Sequence, residues 1–407
     1  MASRTASIVG VLLILLFLLV PSSSTRPPLK FKLHGKAQSH GYIYVVMKIG
    51  HPPRDYYLDV DTGSVLTWLQ CDKPDCPGCT KWHQPHPFYQ LRQETKVPRN
   101  DPLCHQLVQD PGVPSGRDCG YQLSYVQGKT DGLLIRDKFY LPINSNPHHR
   151  PIAFGCGYNQ TDMESQAEVD GILGLGRGSA VGLISQLKQQ NIITKDVFSH
   201  CISTRGVGFL FLGGSEPSSS PTTWVPMNRN ADNGHYTANV LANLFFGSKE
   251  GTLIGTQMKV VFDSGSTFTY FDSRTYQATE AMVIASLHSS LTPVHDGTLN
   301  LKLCWRGRTP FKSIDDVKPL FKTIYLVFDY NNPKATMNIA PENYLIISTM
   351  QNVCFGILES PVSRTNIIGG ITMQDRIVTY NNEKLLIGWS DDLCRNTKSD
   401  SEITSRL

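Results

Sequence analysis

The chain has 407 residues, a formal net charge of +4 and only 18% charged residues. That length accommodates two lobes with separate cores. No Lys/Arg run and no aromatic–basic stripe marks a nucleic-acid surface, so nucleic-acid partners are excluded.

In chain order, Arg4 precedes an apolar stretch from Ile8 to Val20, followed by Pro21-Ser22-Ser23-Ser24. The stretch is too short to span a bilayer comfortably, so residues 1–24 read as a secretory signal peptide rather than an anchor. The tail over 396–407 is polar, and no membrane association is expected. The expected location is the secretory pathway and the extracellular space, with a vacuole or endomembrane compartment as the alternative. Residues 25–40 carry Lys30, Lys32, His34, Lys36 and His40 without an acid. They read as a short, exposed basic tail, too short for an ordinary inhibitory propeptide, with a reduced propeptide covering an acidic cleft as the alternative.

Beyond residue 41, β-branched and aromatic runs bounded by turn residues predict strands at Tyr42–Ile49, Tyr56–Val60, Leu133–Leu141, Gly208–Leu212, Val260–Phe262, Thr323–Phe328, Arg376–Tyr380 and Lys384–Trp389. A short helix is expected over Val181–Gln190 and a longer one over Ser273–His288. The fold class is mostly β, with one lobe over 41–204 and a second over 205–395.

Ten cysteines fit an oxidising route. Cys71, Cys76, Cys79, Cys104 and Cys119 crowd one region beside His83, His86 and His105; Cys156, Cys201, Cys304, Cys354 and Cys394 follow. A zinc site is the sharper reading of the cluster, but disulfides stapling a long loop suit the compartment better. No metal is expected. Asn159-Gln160-Thr161 is a single glycosylation sequon.

The decisive feature is an internal repeat. Residues 61–68 read Asp-Thr-Gly-Ser-Val-Leu-Thr-Trp, and residues 263–270 read Asp-Ser-Gly-Ser-Thr-Phe-Thr-Tyr. The copies lie 202 residues apart, about one lobe, and each follows an apolar strand. A strand ending in Asp-Thr/Ser-Gly-Ser can hold a carboxylate rigidly at a loop tip. Gly63 and Gly265 permit the tight turn. The hydroxyls of Thr62, Ser64, Ser264 and Ser266 can donate to the carboxylates or lock the loops. A single copy reads equally well as an Asx-type turn; the matched pair does not.

If the two loops meet, Asp61 and Asp263 cannot both ionise at close range, and the pair keeps one proton between them. The charged member can then take a proton from a bound water while the neutral member donates to a scissile carbonyl. The chemistry this suits is peptide hydrolysis by activated water, without cofactor or covalent intermediate. Two rival motifs are poor. Gly174-Leu175-Gly176 lacks the third glycine of a nucleotide loop, and no Gly-x-Ser-x-Gly elbow is present.

At these residues the chain resembles the pepsin-like aspartic peptidases. The run from Asp61 to Cys71 and the Cys-rich segment after it are most similar to the plant nucellin-like group. The resemblance covers about Gly41 to Cys394. It implies a bilobal fold of two β-barrel-like lobes with the active site in the cleft between them, and an extended polypeptide substrate bound by a monomer. It also implies a hairpin flap carrying Tyr125, with Gly128 at its tip, closing over substrate and touching Trp68. Ile172-Leu173-Gly174 and Ile367-Ile368-Gly369 match the apolar segments placed behind the two catalytic loops, and Cys304 and Cys354 match a C-lobe disulfide. Val65 and Gly370 depart from acidic residues common among relatives. An endopeptidase working in acid is the primary expectation. The alternative is a catalytically silent binding or inhibitor protein on the same fold.

Overall fold

The computed structural model describes residues 26–394 apart from 36–40, 74–75, 77–78, 80–85, 108–115, 127, 144–145, 162–168, 205–207, 216–217, 219, 230–233, 241–242, 248–251, 256–257, 300, 330–331, 333, 363–364 and 392–393. The expected signal peptide and polar tail, and His83, lie outside the described residues.

The first half of the chain is built from β1 (Leu29–Gly35), β2 (Ile43–Ile49), β3 (Arg54–Asp61), β4 (Trp68–Asp72), β5 (Tyr89–Gln90), β6 (Gly120–Ser124), β7 (Lys129–Ile143), β8 (Asn146–Thr161), β9 (Gly171–Gly174), β10 (Val197–Cys201) and β11 (Gly208–Leu212). The alternation is plain in β2, where Ile43, Val45, Met47 and Ile49 are all buried. These strands join one 14-stranded sheet that also takes in Thr223–Pro226, Ile377–Asn381 and Leu386–Ser390. The seam between the two halves of the chain is the antiparallel pair β10 with Ile377–Asn381, register His200↔Val378. Smaller sheets of five, four and four strands build the rest of the second half.

The expectation of an exposed basic tail fails over Leu29–Gly35. This segment is β1, hydrogen-bonded to β11 on one edge and β2 on the other. Leu29, Phe31 and Leu33 are buried while Lys30 and Lys32 point outward, with the Lys30 ammonium 4.0 Å from the Phe209 ring centroid. Two-residue periodicity, not charge, decides the fate of this stretch. The predicted helix over Ser273–His288 stops at Ala285, where Ser286 turns back to hydrogen-bond the Val283 carbonyl; Asp272 caps its start on the Thr275 amide.

The repeat in the sequence is a repeat in topology. In the first half, β3 lies parallel to β9, and β9 lies antiparallel to β4. In the second half, Met258–Phe262 lies parallel to Asn366–Ile368, which pairs antiparallel with Thr269–Phe271. Each acidic loop therefore leaves a strand that is parallel to a neighbour and returns in a strand antiparallel to that same neighbour.

Candidate active site

Both acidic loops are pinned from behind by backbone hydrogen bonds to the apolar segments. Leu175 N–H donates to the Asp61 carbonyl at 2.8 Å, and Asp263 N–H donates to the Ile368 carbonyl at 3.1 Å. Gly176 and Gly370 N–H groups donate to the carbonyls of Ser64 and Ser266, both at 2.7 Å. The approach is close enough to require glycine: a β-carbon on Gly174 would sit 2.7 Å from the Leu66 carbonyl oxygen, and one on Gly369 only 1.9 Å from that of Phe268.

The loops meet tip to tip. A β-carbon on Gly63 would lie 2.7 Å from an Asp263 carboxylate oxygen, and one on Gly265 would lie 2.5 Å from an Asp61 carboxylate oxygen. Each motif's glycine is thus the space into which the other motif's carboxylate fits. Within its own loop, Asp61 accepts from the Gly63 amide at 2.7 Å. Asp263 accepts from the Gly265 amide at 3.0 Å and the Ser266 hydroxyl at 2.8 Å.

The four hydroxyls divide into two jobs. Thr62 and Ser264 cross between the loops: the Ser264 amide donates to Thr62 Oγ1 at 2.9 Å, and the Thr62 amide donates to Ser264 Oγ at 3.1 Å. Their own protons go to backbone carbonyls of the opposite strand, Phe262 at 2.9 Å and Val60 at 2.6 Å. Both side chains are buried, so the four bonds lock the two halves together at the base of the site. Ser266 serves a carboxylate directly. The buried Ser64 hydroxyl stands beside the Asp61 carboxyl and the Tyr125 phenol without a hydrogen bond of standard geometry.

Electrostatics follow from this enclosure. Asp61 is 6% exposed, and its carboxyl is pushed well above the usual carboxylate range, first by burial and then by the charge of Asp263. A third carboxylate, Asp59, lies two residues upstream on the same face of β3. It accepts from the Ile43 amide at 3.4 Å, and burial together with the Asp263 charge pushes its carboxyl up to about 7. Asp59 also raises Asp61 through its own charge. Sequence reasoning passed over Asp59, although its spacing of two from Asp61 on a strand was the available signal.

The flap residues come together as well. Tyr125 sits in the turn joining β6 to β7, closed by its amide on the Gly128 carbonyl at 2.9 Å, and Gly128 has φ +85°. The Trp68 indole N–H donates to the Tyr125 phenol at 2.8 Å. Burial and the nearby Asp61 charge keep that phenol protonated. Val126 beside it is 65% exposed at the turn. Across the site, the Thr267 hydroxyl donates to the Gly41 carbonyl, tying the second loop to the start of β2.

The remaining candidates lie elsewhere. All ten cysteines are paired: Cys71–Cys156, Cys76–Cys79, Cys104–Cys119, Cys201–Cys394 and Cys304–Cys354. The Cys-rich segment is therefore a set of staples, and its thiolates are not offered to a metal. Asp296 lies close to the Cys304–Cys354 sulfurs. Its carboxylate is saturated by Thr298, Ser348 and Asn352, whose hydrogen bonds hold it well below the usual range despite its burial. Asn159 stands in β8 with its amide donating to Asp131 at 3.0 Å.

Two carboxylates on repeated loops, crossed hydroxyls beneath them and a tyrosine-bearing hairpin above define a mostly β, bilobal protein of the pepsin-like class. Comparison with known proteins places the chain in the same class. Family models described as xylanase inhibitor N-terminal and xylanase inhibitor C-terminal match residues 43–214 and 250–391. An aspartic proteinase of Oryza sativa subsp. japonica is 42% identical over 422 aligned residues, covering 100% of both chains. Aspartic proteinase 36 of Arabidopsis thaliana is 27% identical, covering 89% of this chain and 76% of that one. Among solved structures, basic 7S globulin from soybean has a TM-score of 0.69 at 14% identity, covering 92% of this chain and 99% of its own. The aspartic proteinase from Irpex lacteus has a TM-score of 0.64 at 15% identity, covering 92% and 100%. The chain belongs to the pepsin-like aspartic protease family.

Proposed function

We propose that the chain is an active aspartic endopeptidase, hydrolysing internal bonds of extended polypeptides in acid, with Asp61 and Asp263 as its catalytic pair. The observation that carries this is the reciprocal seating of each carboxylate against the other motif's glycine. Two carboxyls held that close share a proton, and the titration belongs to the pair. The charged member takes a proton from a water as its oxygen bonds to the scissile carbonyl carbon; the neutral member's proton goes to the carbonyl oxygen. Collapse of the resulting diol breaks the C–N bond, and a carboxyl proton passes to the leaving amine. Tyr125 and the β6–β7 turn cover the substrate and exclude water. Membership of the nucellin-like group, the secretory route and the monomeric state belong to the same proposal. No helix among the described residues is long and apolar enough to cross a membrane.

A silent binding protein is the second reading, favoured by the xylanase-inhibitor descriptions of the matching family models and by the likeness to a seed globulin. Digestion of a denatured protein between about pH 3 and 7, with and without a statine-type inhibitor and with EDTA, separates the two. Statine-sensitive, chelator-resistant cleavage is expected. No cleavage anywhere in that range leaves the binder.

Two further results are expected if the site works this way. Tyr125→Phe removes the hydrogen bond from the Trp68 indole and loosens the flap, so kcat/KM falls roughly tenfold to a hundredfold while the protein stays folded. An unchanged kcat/KM removes the flap role. Asp59→Asn acts on the other side of the profile. With its carboxyl pushed up to about 7, Asp59 is neutral in acid and charged only above neutrality, where its charge helps the pair keep its proton. The variant therefore loses activity at lower pH on the alkaline limb and keeps the acid limb. Its stability also shifts: a raised carboxyl destabilises the fold as pH rises through about 7, so the variant is more stable than the parent at pH 8. An alkaline limb that does not move removes Asp59 from the site.

A further inference from the structure

We propose that the Cys76–Cys79 disulfide is a reversible redox site, opened by a dithiol under conditions that leave the other four disulfides closed. The pair spans Cys-Pro-Gly-Cys in the connection from β4 to β5. Both residues are half-buried and lie outside the hydrophobic clusters. In three of the other bridges both cysteines are buried, and Cys201 is buried in the fourth.

Loop size points the same way. Cys76 and Cys79 are three residues apart, whereas the other bridges span 15, 50, 85 and 193. A bridge restricts the unfolded chain in proportion to the logarithm of the loop it closes, so the shortest loop adds least to the stability of the fold and opening it costs the fold least. The segment is also held without this bridge. Its start is fixed by the buried Cys71–Cys156 bond and its end by the pairing of Cys71 with Tyr89. Just before Tyr89, His86 stacks on Tyr57 at 4.2 Å between ring centroids and bonds Asp170 at 3.0 Å. Opening the bridge loosens a local turn and leaves the sheet intact. That turn leads to His86, which rests on β3, the strand carrying Asp61.

The chemistry balances with a dithiol as the two-electron reductant. Its thiolate attacks one cysteine sulfur, the Cys76–Cys79 bond breaks, and a mixed disulfide forms. The reductant's second thiol displaces the cysteine, leaving two protein thiols and an oxidised, cyclic reductant.

The test exposes the full native protein to graded dithiothreitol at neutral pH, traps thiols with iodoacetamide and maps them by peptide mass spectrometry. Cys76 and Cys79 are expected to be alkylated together at a reductant concentration below that opening any other bridge. Removing the reductant before trapping should abolish the labelling, as the pair recloses in air. The Cys76→Ser/Cys79→Ser protein should carry no label at the same low concentration. Prior opening of another bridge, or opening of all five together, overturns the proposal, and the wild-type mapping alone decides it.

Discussion

Asp61→Asn and Asp263→Asn should each reduce acid peptide cleavage by at least about a thousandfold while the protein stays folded. Asparagine keeps the shape of the side chain and an oxygen to accept from Gly63 or Gly265, so the loops have no reason to open. What it removes is the exchangeable proton that the pair needs in both directions. The Asp61 variant carries a second signature. The native carboxyl is raised by burial and by Asp263, so ionising it costs folding free energy as pH rises. A neutral amide escapes that cost, and the thermal midpoint of Asp61→Asn at neutral pH should exceed the parent's. Inactive and more stable is the pattern of a functional carboxylate held at the expense of the fold. Full cleavage by Asp263→Asn would sink the dyad, and a less stable, unfolded Asp61→Asn would make the residue structural.

The contrast between Asp61 and Asp59 shows where sequence reading succeeds and stops. Asp61 was legible because it sits in a repeated word, and repetition at lobe spacing is rare by chance. The repeat also carried the mostly β fold, since it implied two like strand–loop units. Asp59 occurs once, with no counterpart before Asp263, where Val261 stands. Its importance comes from enclosure and from the charge of Asp263 in the other half of the chain, which no local pattern encodes. The hydroxyls make the same point. Four of them flank the acids in similar contexts, yet Thr62 and Ser264 cross the interface while Ser266 faces a carboxylate. Only the tip-to-tip meeting of the loops assigns those jobs. The strand at Leu29–Gly35 was legible and misread. Leu-Lys-Phe-Lys-Leu alternates with period two, but its basic residues drew the reading toward solvent. Alternation outranks charge here because the outward lysines cost nothing on a sheet with one wet face, while the three inward side chains gain burial.

Removing His200 should flatten the loss of stability between pH 6.5 and 4. This imidazole lies fully buried on β10, its Nε2 3.2 Å from the Tyr380 hydroxyl and its Nδ1 without a hydrogen-bond partner. Burial pushes it down to about 4 from an ordinary value of 6.5. The sign follows directly: between those values the unfolded chain binds a proton that the folded chain refuses. Stability therefore falls as pH drops through that window, by about 3 kcal/mol in total, and levels off below it. His200→Gln keeps a side-chain amide for Tyr380 and cannot titrate. Its stability at pH 7 should match or fall slightly below the parent's, and at pH 4 it should lose about 3 kcal/mol less, read by urea denaturation at both pH values. Parallel pH dependences for variant and parent would show that His200 does not set acid stability. The location makes the result bear on catalysis. The Tyr380 phenol lies beside Thr62, one of the two crossed hydroxyls, so charging His200 places a cation one residue away from the loop carrying Asp61. On the proposed function, the acid that keeps a proton on the pair also brings the solution toward the value of about 4 at which His200 charges.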